Sequence, residues 1–438
     1  MSKDKKKIHK PKAVSGFPEW LPEERLVEQR WYDHIRKTFE SYGFCSIETP
    51  SVEEIDVLLA KGEVDKEIYV LERLHKDDDN DKEARLALHF DQTVPFARYT
   101  AQHFNELVFP FKRYQMQRVW RGERPQMGRM REFTQCDIDV INVDNLPLSF
   151  DAEIPAVIYE VLEGLNIGRV QIRISNRKIL LGLLEHLGID DAVSVTRIID
   201  KIEKLEREQI EQLLKDENLT QEQINKILYL AETKGTADNI NALNAENDIM
   251  REGIEELCFV LKNLEHLPEH AVIGDLGIVR GLDYYTGTVY ETQLLDVPEF
   301  DGSVCSGGRY DDLAGSFINK HLPGVGISIG FSRLFDVIRQ SRPDLMNIGP
   351  KSPTHILVYS ENKDLTADVT KTAQILRKRG YNVETYHTVK KWEKHFKYAK
   401  NKGIPHIMYV NEADSFEVKD VASGETSQTT PEAWQSTN

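Results

Sequence analysis

The most restrictive feature of the sequence is a polar stripe within residues 133–143, which otherwise have the composition of a buried strand. Successive side chains of a strand point to opposite faces, so Gln135, Asp137 and Asp139 share one face and the apolar residues between them share the other. Burying such groups unpaired is costly, so they must meet water, arginine or a polar ligand. Taken alone, the stripe fits an exposed salt-bridged hairpin and a ligand site equally well.

The segment before the stripe supplies candidate partners for its carboxylates. Residues 107–120 form a second strand-like run, and the loop between the two runs contains Pro125 and Gly128. We therefore expect an antiparallel hairpin with arginines on its first strand and in its loop. These arginines are Arg118, Arg121, Arg124, Arg129 and Arg131.

Two further segments combine arginine with small residues. Residues 280–291 (RGLDYYTGTVYE) place Arg280 beside two adjacent tyrosines, and residues 324–330 (GVGISIG) lead into a predicted helix that carries Arg333. Glycines at such positions let a backbone or a ligand approach closely. The spacing differs from the GxGxxG fingerprint of dinucleotide-binding folds, and no Walker loop is present. Together with Arg121, these arginines suit a ligand with several phosphates.

Local patterns organise the rest of the first 340 residues. A helix is predicted over residues 22–42, and residues 67–74 and 84–93 are predicted as the strands of an exposed hairpin. A small helical insertion is predicted at about residues 186–262, with a capping box at Thr220–Gln223.

The carboxyl-terminal part has a different pattern. Beyond a proline-rich linker at residues 341–353, strand-like and helical segments alternate, starting from THILVY at residues 354–359. That alternation predicts an α/β domain over residues 352–438 with a mostly parallel sheet. Residues 16–345 then form the larger first domain, and residues 1–15 form a basic tail.

Charge is distributed unevenly along the chain. The formal charge of −16 argues against binding of bulk nucleic acid, because phosphate binding depends on positive surface. Residues 352–438, however, hold 12 basic and 11 acidic residues, whereas the remaining 351 residues hold 44 and 61. Residues 390–402 contain six lysines and one acid, with Trp392, Phe396 and Tyr398 among them. This pattern is typical of an amphipathic helix and also of a surface that binds RNA.

Cysteine usage and hydropathy indicate the compartment. The four cysteines are scattered without a Cys-x-x-Cys pair, which argues against a zinc site and for a reducing environment. No apolar stretch is long enough to span a membrane, and the basic amino terminus is not followed by the apolar segment of a signal peptide. We therefore expect a cytoplasmic protein with no membrane partner.

Three segments closely resemble the histidyl-tRNA synthetase family, which belongs to class II of the aminoacyl-tRNA synthetases. They are RYQMQRVWRGERPQMGRMREFTQCDIDVI at residues 113–141, VRGLDYYTGTVYE at residues 279–291 and GVGISIGFSRL at residues 324–334. The order of parts is similar as well, from a helix that leads to Pro50 to the final α/β domain. The resemblance implies an α+β catalytic domain with the antiparallel sheet of class II, a helical insertion and an α/β anticodon-binding domain.

The resemblance implies that ATP activates L-histidine as histidyl-adenylate and that the histidine then passes to the 3′ end of histidine tRNA. No protein nucleophile is needed, so catalysis depends on positioning and on cations placed where negative charge builds up. Arg121 and Arg280 match the catalytic cations at the α-phosphate. The matching ATP-binding residues are Arg121, Glu123, Phe133 and Arg333. The family also works with Mg²⁺, whose protein ligands are not readable from the sequence.

Histidine selection follows from the same resemblance. A neutral imidazole offers one N–H donor and one acceptor, for which a carboxylate and a hydroxyl are suitable partners. Asp139 and the tyrosine pair match the imidazole-binding positions, whereas Asp91 and Thr93 match those for the α-amino group. The complete set of matching histidine-binding positions is Asp91, Gln92, Thr93, Gln135, Asp139, Arg280, Tyr284 and Tyr285.

The resemblance also implies macromolecular partners. The segment that leads to Pro50 matches one that lies at the dimer interface in the family, so a homodimer is expected. The candidate contacts to tRNA are the lysines Lys390, Lys391, Lys394 and Lys397.

Two alternatives differ in class or substrate. The first is a catalytically silent paralogue that senses histidine as a regulatory subunit of ATP phosphoribosyltransferase, but such paralogues typically lose the segment of Arg280 and the anticodon domain. The second is a class II synthetase for another amino acid. The spacing from Gln135 to Asp139 and the double tyrosine disfavour it.

Overall fold

The computed structural model describes residues 10–59, 67–72, 86–279, 285–386, 388–412 and 415–436. These residues form two compact units. The first unit holds the described residues of Met1–Pro18 and Asp33–Met346, and the second holds Glu19–Tyr32 and the described residues of Asn347–Asn438. Residues 1–9, the larger part of the predicted basic tail, lie outside the described residues.

The helices follow the apolar stripes of the sequence. In chain order they are α1 (Pro22–Ser41), α2 (Ile55–Leu58), α3 (Thr93–Gln102), α4 (Ser149–Gly164), α5 (Arg177–His186), α6 (Ala192–Ile199), α7 (Arg207–Asp216), α8 (Gln221–Ala231), α9 (Ala237–Asn241), α10 (Asp248–Asn263), α11 (Phe331–Ser341), α12 (Thr366–Lys378) and α13 (Trp392–Lys402). Helix α1 matches the predicted span, and the residues of its stripe, Val27, Trp31, Ile35 and Phe39, are all buried.

The strands belong to three sheets. In chain order they are β1 (Cys45–Ser46), β2 (Val52–Glu54), β3 (Leu86–Leu88), β4 (Phe111–Trp120), β5 (Glu132–Ile141), β6 (Val170–Asn176), β7 (Lys234–Gly235), β8 (Val272–Asp275), β9 (Tyr285–Leu294), β10 (Cys305–Tyr310), β11 (Gly324–Ile329), β12 (Ile356–Tyr359), β13 (Val383–Thr385), β14 (His406–Glu412), β15 (Ser415–Asp420) and β16 (Thr426–Gln428). A short sheet pairs β2 with β3.

The first unit is built on a large sheet. Nine of the described strands lie in the order β1-β4-β5-β11-β10-β9-β6-β8-β7. Neighbours are antiparallel except for the pairs β1–β4 and β6–β8. The predicted hairpin is confirmed as β4 and β5, and β11 lies beside β5 before leading into α11. Helices α4 and α11 pack against this part of the sheet.

The hairpin predicted at residues 67–93 is present only in part. Leu71 N–H donates to Leu86 O at 2.9 Å, whereas residues 73–85 lie outside the described residues. The strand prediction was wrong near its end, because α3 begins at Thr93. Asp91 Oδ1 accepts the backbone N–H of Val94 at 3.3 Å, and an aspartate that binds a free N–H in this way favours the start of a helix.

Helices α6 to α10, with the short strand β7 between α8 and α9, occupy the region of the predicted insertion. The capping box is confirmed at Thr220, whose side chain accepts from the backbone of Gln223. A buried ion pair lies within the sheet, where Arg173 Nε of β6 contacts Asp275 Oδ2 of β8 at 2.6 Å. Arg173 Nη2 also contacts Glu203, which lies between α6 and α7, at 2.5 Å. The helical region is therefore joined to the sheet by charge as well as by packing.

The second unit has a five-stranded sheet in the order β13-β12-β14-β15-β16. Strand β12 is parallel to β13 and β14, as predicted, whereas β15 and β16 run antiparallel and make the sheet mixed. Ile356 and Val358 pack with residues of α12, and Leu357 packs on the other face with Ala399 of α13. Both faces of this sheet are therefore apolar.

Within the described ranges, no helix combines the length and the apolar content needed to cross a membrane.

Candidate functional site

A cavity of about 100 Å³ lies beside the end of the β4–β5 hairpin. Its walls come from the hairpin loop, from β5, β10 and β11, and from the start of α11. All four predicted ATP-binding residues, Arg121, Glu123, Phe133 and Arg333, line it, and so does Gln135. Residues that are separated by more than 200 positions in the chain thus meet where the sequence predicted one site.

Arg121 follows directly after β4. Its Nε–H donates to Phe90 O at 3.0 Å, and its guanidinium carbon lies 5.2 Å from the centre of the Phe133 ring. Its Nη1 lies 3.8 Å from Glu123 Oε1. These contacts orient the cation in the cavity wall, and Phe133 supplies a flat aromatic surface next to it.

Arg333 lies in the first turn of α11. Its Nε–H donates to Gly128 O at 2.9 Å and its Nη1 donates to Ser303 O at 3.0 Å. Gly128 has a φ of 68°, and a Cβ there would lie 3.1 Å from Arg333 Cγ. The left-handed backbone conformation favours glycine at this position, and a side chain there would also crowd Arg333.

The cavity combines three guanidinium groups, those of Arg121, Arg129 and Arg333, with an aromatic ring and a carboxylate. Guanidinium groups bind phosphate oxygens through paired hydrogen bonds, and an aromatic ring can stack on a planar base. The arrangement suits a nucleotide with several phosphates.

The polar stripe continues from the cavity along β5. In the register of the hairpin, Asp139 lies opposite Arg113 and Asp137 lies opposite Gln115. Arg113 is fully buried, and its Nη2 lies 2.6 Å from Asp139 Oδ2. Tyr310 of β10 donates its hydroxyl to Asp139 Oδ1 at 3.0 Å. Each carboxylate oxygen of Asp139 therefore has a partner within the protein.

Arg113 was missed by the sequence reasoning, which offered Arg118 and Arg121 as the candidate partners from this strand. Arg118 lies opposite Thr134 on the other face, is exposed and pairs with Glu132 at 3.0 Å. The assignment to Arg118 was therefore wrong. Strand periodicity contained the missing signal, because residues that are opposite in register share a face.

Burial controls the ionisation of the stripe. It raises the pKa of Asp91 to about 6 and the pKa of Asp137 to about 7, and it also raises the pKa of Asp139, while Arg113 opposes the rise at all three. Among the described residues, no hydrogen-bond donor reaches Asp137 Oδ1. In the described part of the site, the carboxyl groups thus outnumber the cations placed beside them, and this part suits a ligand with cationic or N–H groups.

The amides among the predicted histidine-binding residues differ in position. Gln135 lines the cavity, where its Nε2 donates to Ser328 Oγ at 2.6 Å. Gln92 is fully buried, and its Nε2 donates to the backbone oxygens of Gln117 and Gln135, each at 3.0 Å. Gln92 thus joins the start of α3 to the hairpin, and its amide nitrogen is already used.

The other predicted histidine-binding residues lie at element ends. Asp91 is buried before α3, and Thr93 is half-buried as the first residue of α3. Tyr285 is half-buried at the start of β9 and packs against the cluster that contains Tyr310. Arg280 and Tyr284 lie outside the described residues, so the structure gives no position for them.

The predicted tRNA contacts lie around the start of α13. Lys390, Lys391, Lys394 and Lys397 are all exposed. The aromatic residues of the same segment are partly buried against the sheet. The two interpretations of this segment are compatible, because apolar rings pack inward and lysines remain in solvent.

Comparison with known proteins gives a consistent result. The sequence profile described as "Histidyl-tRNA synthetase" matches residues 16–334, and that described as "Anticodon binding domain" matches residues 354–433. A curated relative named "Histidine--tRNA ligase" from Thermobifida fusca is 50% identical over 436 residues, which cover 98% of this chain and 99% of the relative. A relative with the same name from Micrococcus luteus is 43% identical, with coverage of 96% and 95%.

A solved structure is similar over the same extent. The crystal structure of histidyl-tRNA synthetase from a Nostoc species superposes with a TM-score of 0.87 at 39% sequence identity, and the match covers 97% of both chains.

Proposed function

The chain belongs to the histidyl-tRNA synthetase family, and on that premise we propose that it is a histidine–tRNA ligase. The fold class predicted from the sequence, a class II catalytic domain followed by an anticodon-binding domain, is confirmed. The observation that carries the proposed activity is the junction of two surfaces: a cavity with Arg121, Phe133 and Arg333, and a polar stripe with Asp139 that starts at its wall.

The reaction has two steps. A carboxylate oxygen of L-histidine attacks the α-phosphorus of ATP. An oxygen–phosphorus bond forms, the bond from the α-phosphorus to the bridging oxygen breaks, and pyrophosphate leaves. A hydroxyl of the terminal ribose of histidine tRNA then attacks the activated carbonyl carbon, and AMP leaves. Two anions meet in the first step, so the protein must supply fixed positive charge at the α-phosphate.

Arg121 and Arg280 are proposed as the catalytic cations. The position of Arg121 supports this role, because its contacts to Phe90 O and the Phe133 ring fix its guanidinium beside the cavity. We propose that Arg333 binds the far phosphates, that Phe133 stacks on adenine and that Glu123 contacts the adenine edge. The shared cavity supports this set of ATP contacts.

The polar stripe is proposed as the histidine site. Asp139, with Tyr284 and Tyr285, would bind the imidazole, and Asp91 with Thr93 would receive the α-amino group. Burial raises the pKa values of Asp91 and Asp137 because it disfavours their ionised forms, and a cationic amino group beside them would stabilise those forms. Gln135 and Arg280 would contact the backbone atoms of the substrate. Gln92 supports the site chiefly through its bonds to the hairpin backbone.

Mg²⁺ is proposed to enter with ATP. The described residues contain no group of three His, Cys, Asp or Glu side chains arranged as metal ligands, and Glu123 is the carboxylate that lines the cavity. That donor set fits Mg²⁺, which usually keeps water and substrate phosphates as ligands beside one or two carboxylates. When bound, the metal would neutralise charge on the phosphates.

We propose that residues 352–438 bind the anticodon region of histidine tRNA, with the exposed lysines at the start of α13 in contact with the RNA backbone. Residues 16–345 would form the catalytic domain, with the helical insertion at about 186–262. A homodimer is proposed from the family resemblance of the segment before Pro50. A role in translation supports a cytoplasmic location.

The regulatory alternative is not favoured. The matched ligases cover almost the whole chain, including the anticodon-binding part, at up to 50% identity. A histidine sensor would not need that part.

Amino-acid-dependent exchange of pyrophosphate into ATP tests the proposed function. The purified full-length chain is assayed with each of the twenty amino acids. We expect exchange with histidine alone. Histidine binding without exchange would support the sensor, and exchange with another amino acid instead of histidine would contradict the assigned substrate.

A further inference from the structure

Arg113 is the largest fully buried side chain in the described part of the molecule. It does not line the cavity that is proposed to bind ATP, called the ATP cavity below. A guanidinium group is buried only at a large desolvation cost, and a buried ion pair is often no more stabilising than an apolar pair of the same size. Its charge therefore calls for an explanation other than stability.

Arg113 acts on three carboxyl groups of the stripe and forms its ion pair with one of them, Asp139. The guanidinium carbon lies 4.2 Å from the centre of the Phe96 ring of α3, and Nη2 lies 2.6 Å from Asp139 Oδ2. On the far side of Asp139, a Cβ on Gly326 of β11 would lie 2.2 Å from Oδ1. Any side chain at Gly326 would therefore collide with the carboxylate of Asp139 in its present position.

The hydrogen-bonding capacity of Asp139 is only partly used. Each carboxylate oxygen can accept about two hydrogen bonds. Tyr310 donates to Oδ1 and Arg113 pairs with Oδ2, so each oxygen can still accept another N–H. A protonated carboxyl group would instead carry its own O–H donor and would be a poorer acceptor for the imidazole N–H of histidine.

Charge and burial at Asp139 act in opposite directions. Burial raises its pKa, whereas Arg113 on β4 and the hydroxyl of Tyr310 on β10 lower it. Within the described ranges, the other titratable groups near this region include Asp137 on β5, Asp91 before α3 and Tyr285 on β9, and none of the three adds positive charge. Removal of Arg113 would therefore let Asp139 take up a proton closer to neutral pH.

We propose that Arg113 is a positioning residue for histidine selection, which keeps Asp139 ionised and in the orientation that accepts the imidazole N–H. This inference rests on the proposed function and adds to it a residue that makes no contact with the substrate itself. Its effect is specific to histidine, because Arg113 lies outside the ATP cavity.

The test compares Arg113→Met with wild type in histidine-dependent pyrophosphate exchange between pH 7 and pH 8.5. Methionine fills the volume without charge. We expect the KM for histidine to rise about 10- to 100-fold at pH 7, as for loss of a hydrogen bond to a charged group, with the KM for ATP changed less than about twofold. The ratio of the histidine KM of the variant to that of wild type should fall as pH rises, because Asp139 ionises again. Taking the ratio cancels the titration of the substrate.

Two further variants separate positioning from structure. Arg113→Lys keeps the charge and should restore a large part of the affinity for histidine. Arg118→Met removes an exposed arginine from the same strand and should behave as wild type. An equal rise in the KM for ATP and for histidine, or a defect that does not change with pH, would overturn the proposal.

If Arg113→Met does not fold, Tyr310→Phe removes the other partner of Asp139 without a change in charge. A pH-dependent rise in the histidine KM, of about threefold to tenfold, is then expected, and an unchanged profile would overturn the proposal.

If wild type shows no histidine-dependent exchange, the proposed function fails. The same variants are then compared by calorimetric binding of histidine, where unaltered affinity in Arg113→Met overturns the inference.

Discussion

The two large sheets of the chain carry their polar groups in opposite places. In the nine-stranded sheet, Arg113, Asp137 and Asp139 are buried in the sheet itself. In the five-stranded sheet both faces are apolar, and lysines lie on the exposed sides of the helices, among them α13. Buried and fixed polar groups suit a small ligand whose individual atoms each need a specific partner. Exposed lysines suit a polyanion that is bound through its backbone phosphates. We therefore propose that the buried groups serve amino-acid activation and the exposed lysines serve tRNA binding. The predictions below test the two sets of residues in turn.

The largest expected effect is at the ATP cavity. Arg121→Ala should lower the rate of histidine-dependent exchange by about 10²- to 10³-fold, because a fixed donor is lost where charge builds up on the α-phosphate. The KM for histidine should change much less. Pyrophosphate-exchange assays compare Arg121→Ala with wild type and with Arg118→Ala, which removes an exposed arginine from the same hairpin. Equal losses in rate and in histidine affinity would argue against a role confined to the transition state.

The next effect concerns the buried carboxylate. Asp139→Asn should lower kcat/KM for histidine by about 10²-fold, since a hydrogen bond to a charged group contributes on the order of 1.5–3 kcal/mol. Steady-state exchange with histidine and with ATP varied in turn gives the two constants. An unchanged KM for histidine would remove Asp139 from the imidazole site.

A smaller effect is expected on the second unit. The double substitution Lys394→Glu with Lys397→Glu should raise the KM for histidine tRNA about tenfold in aminoacylation and leave exchange unaltered, because phosphate contacts act only on the RNA. Lys371→Glu with Lys378→Glu makes the same change of charge on exposed positions of α12 and serves as the control. If both pairs weaken tRNA binding equally, only overall charge matters. A loss of exchange would show that the two functions are not separate.

The smallest effect is on stability and depends on pH. Burial raises the pKa of Asp137 to about 7 in the folded protein, above its value in the unfolded chain. Between pH 4 and pH 7 the folded state therefore keeps a proton that the unfolded state has lost, and stability falls as pH rises through this range. Asp137→Asn does not titrate, so its melting temperature relative to wild type should rise from pH 5 to pH 8, by roughly 2 °C to 4 °C. Parallel pH profiles of the two proteins would contradict the buried-carboxyl assignment.

Much of the framework was predictable because it depends on local pattern. The stripe of α1, the β4–β5 hairpin, the capping box before α8 and the strand before α11 all follow from periodicity or from cap chemistry. The start of α3 was not predicted. Residues 89–93 have strand-like composition, and the helix start there depends on a hydrogen bond from the backbone of Val94 to Asp91 that the pattern alone does not reveal.

The residues of the candidate site were predictable where they lie within a sequence motif of the family. Arg121, Glu123, Phe133 and Arg333 were expected at one ligand, and they line one cavity. Arg113 and Tyr310 were not foreseen, because their role depends on the register of three neighbouring strands and on contacts over 171 positions from Asp139 to Tyr310. Sequence patterns show which face a side chain occupies, but pairing between strands decides what it meets.

Transfer of labelled histidine to a histidine tRNA transcript is the most direct measurement, because it requires both units to act on one substrate. With ATP and the purified full-length chain, we expect a base-labile histidyl ester at the 3′ end of the transcript, and no label without ATP or with a transcript for another amino acid. A chain that binds histidine but yields no ATP-dependent histidyl-tRNA would contradict the account.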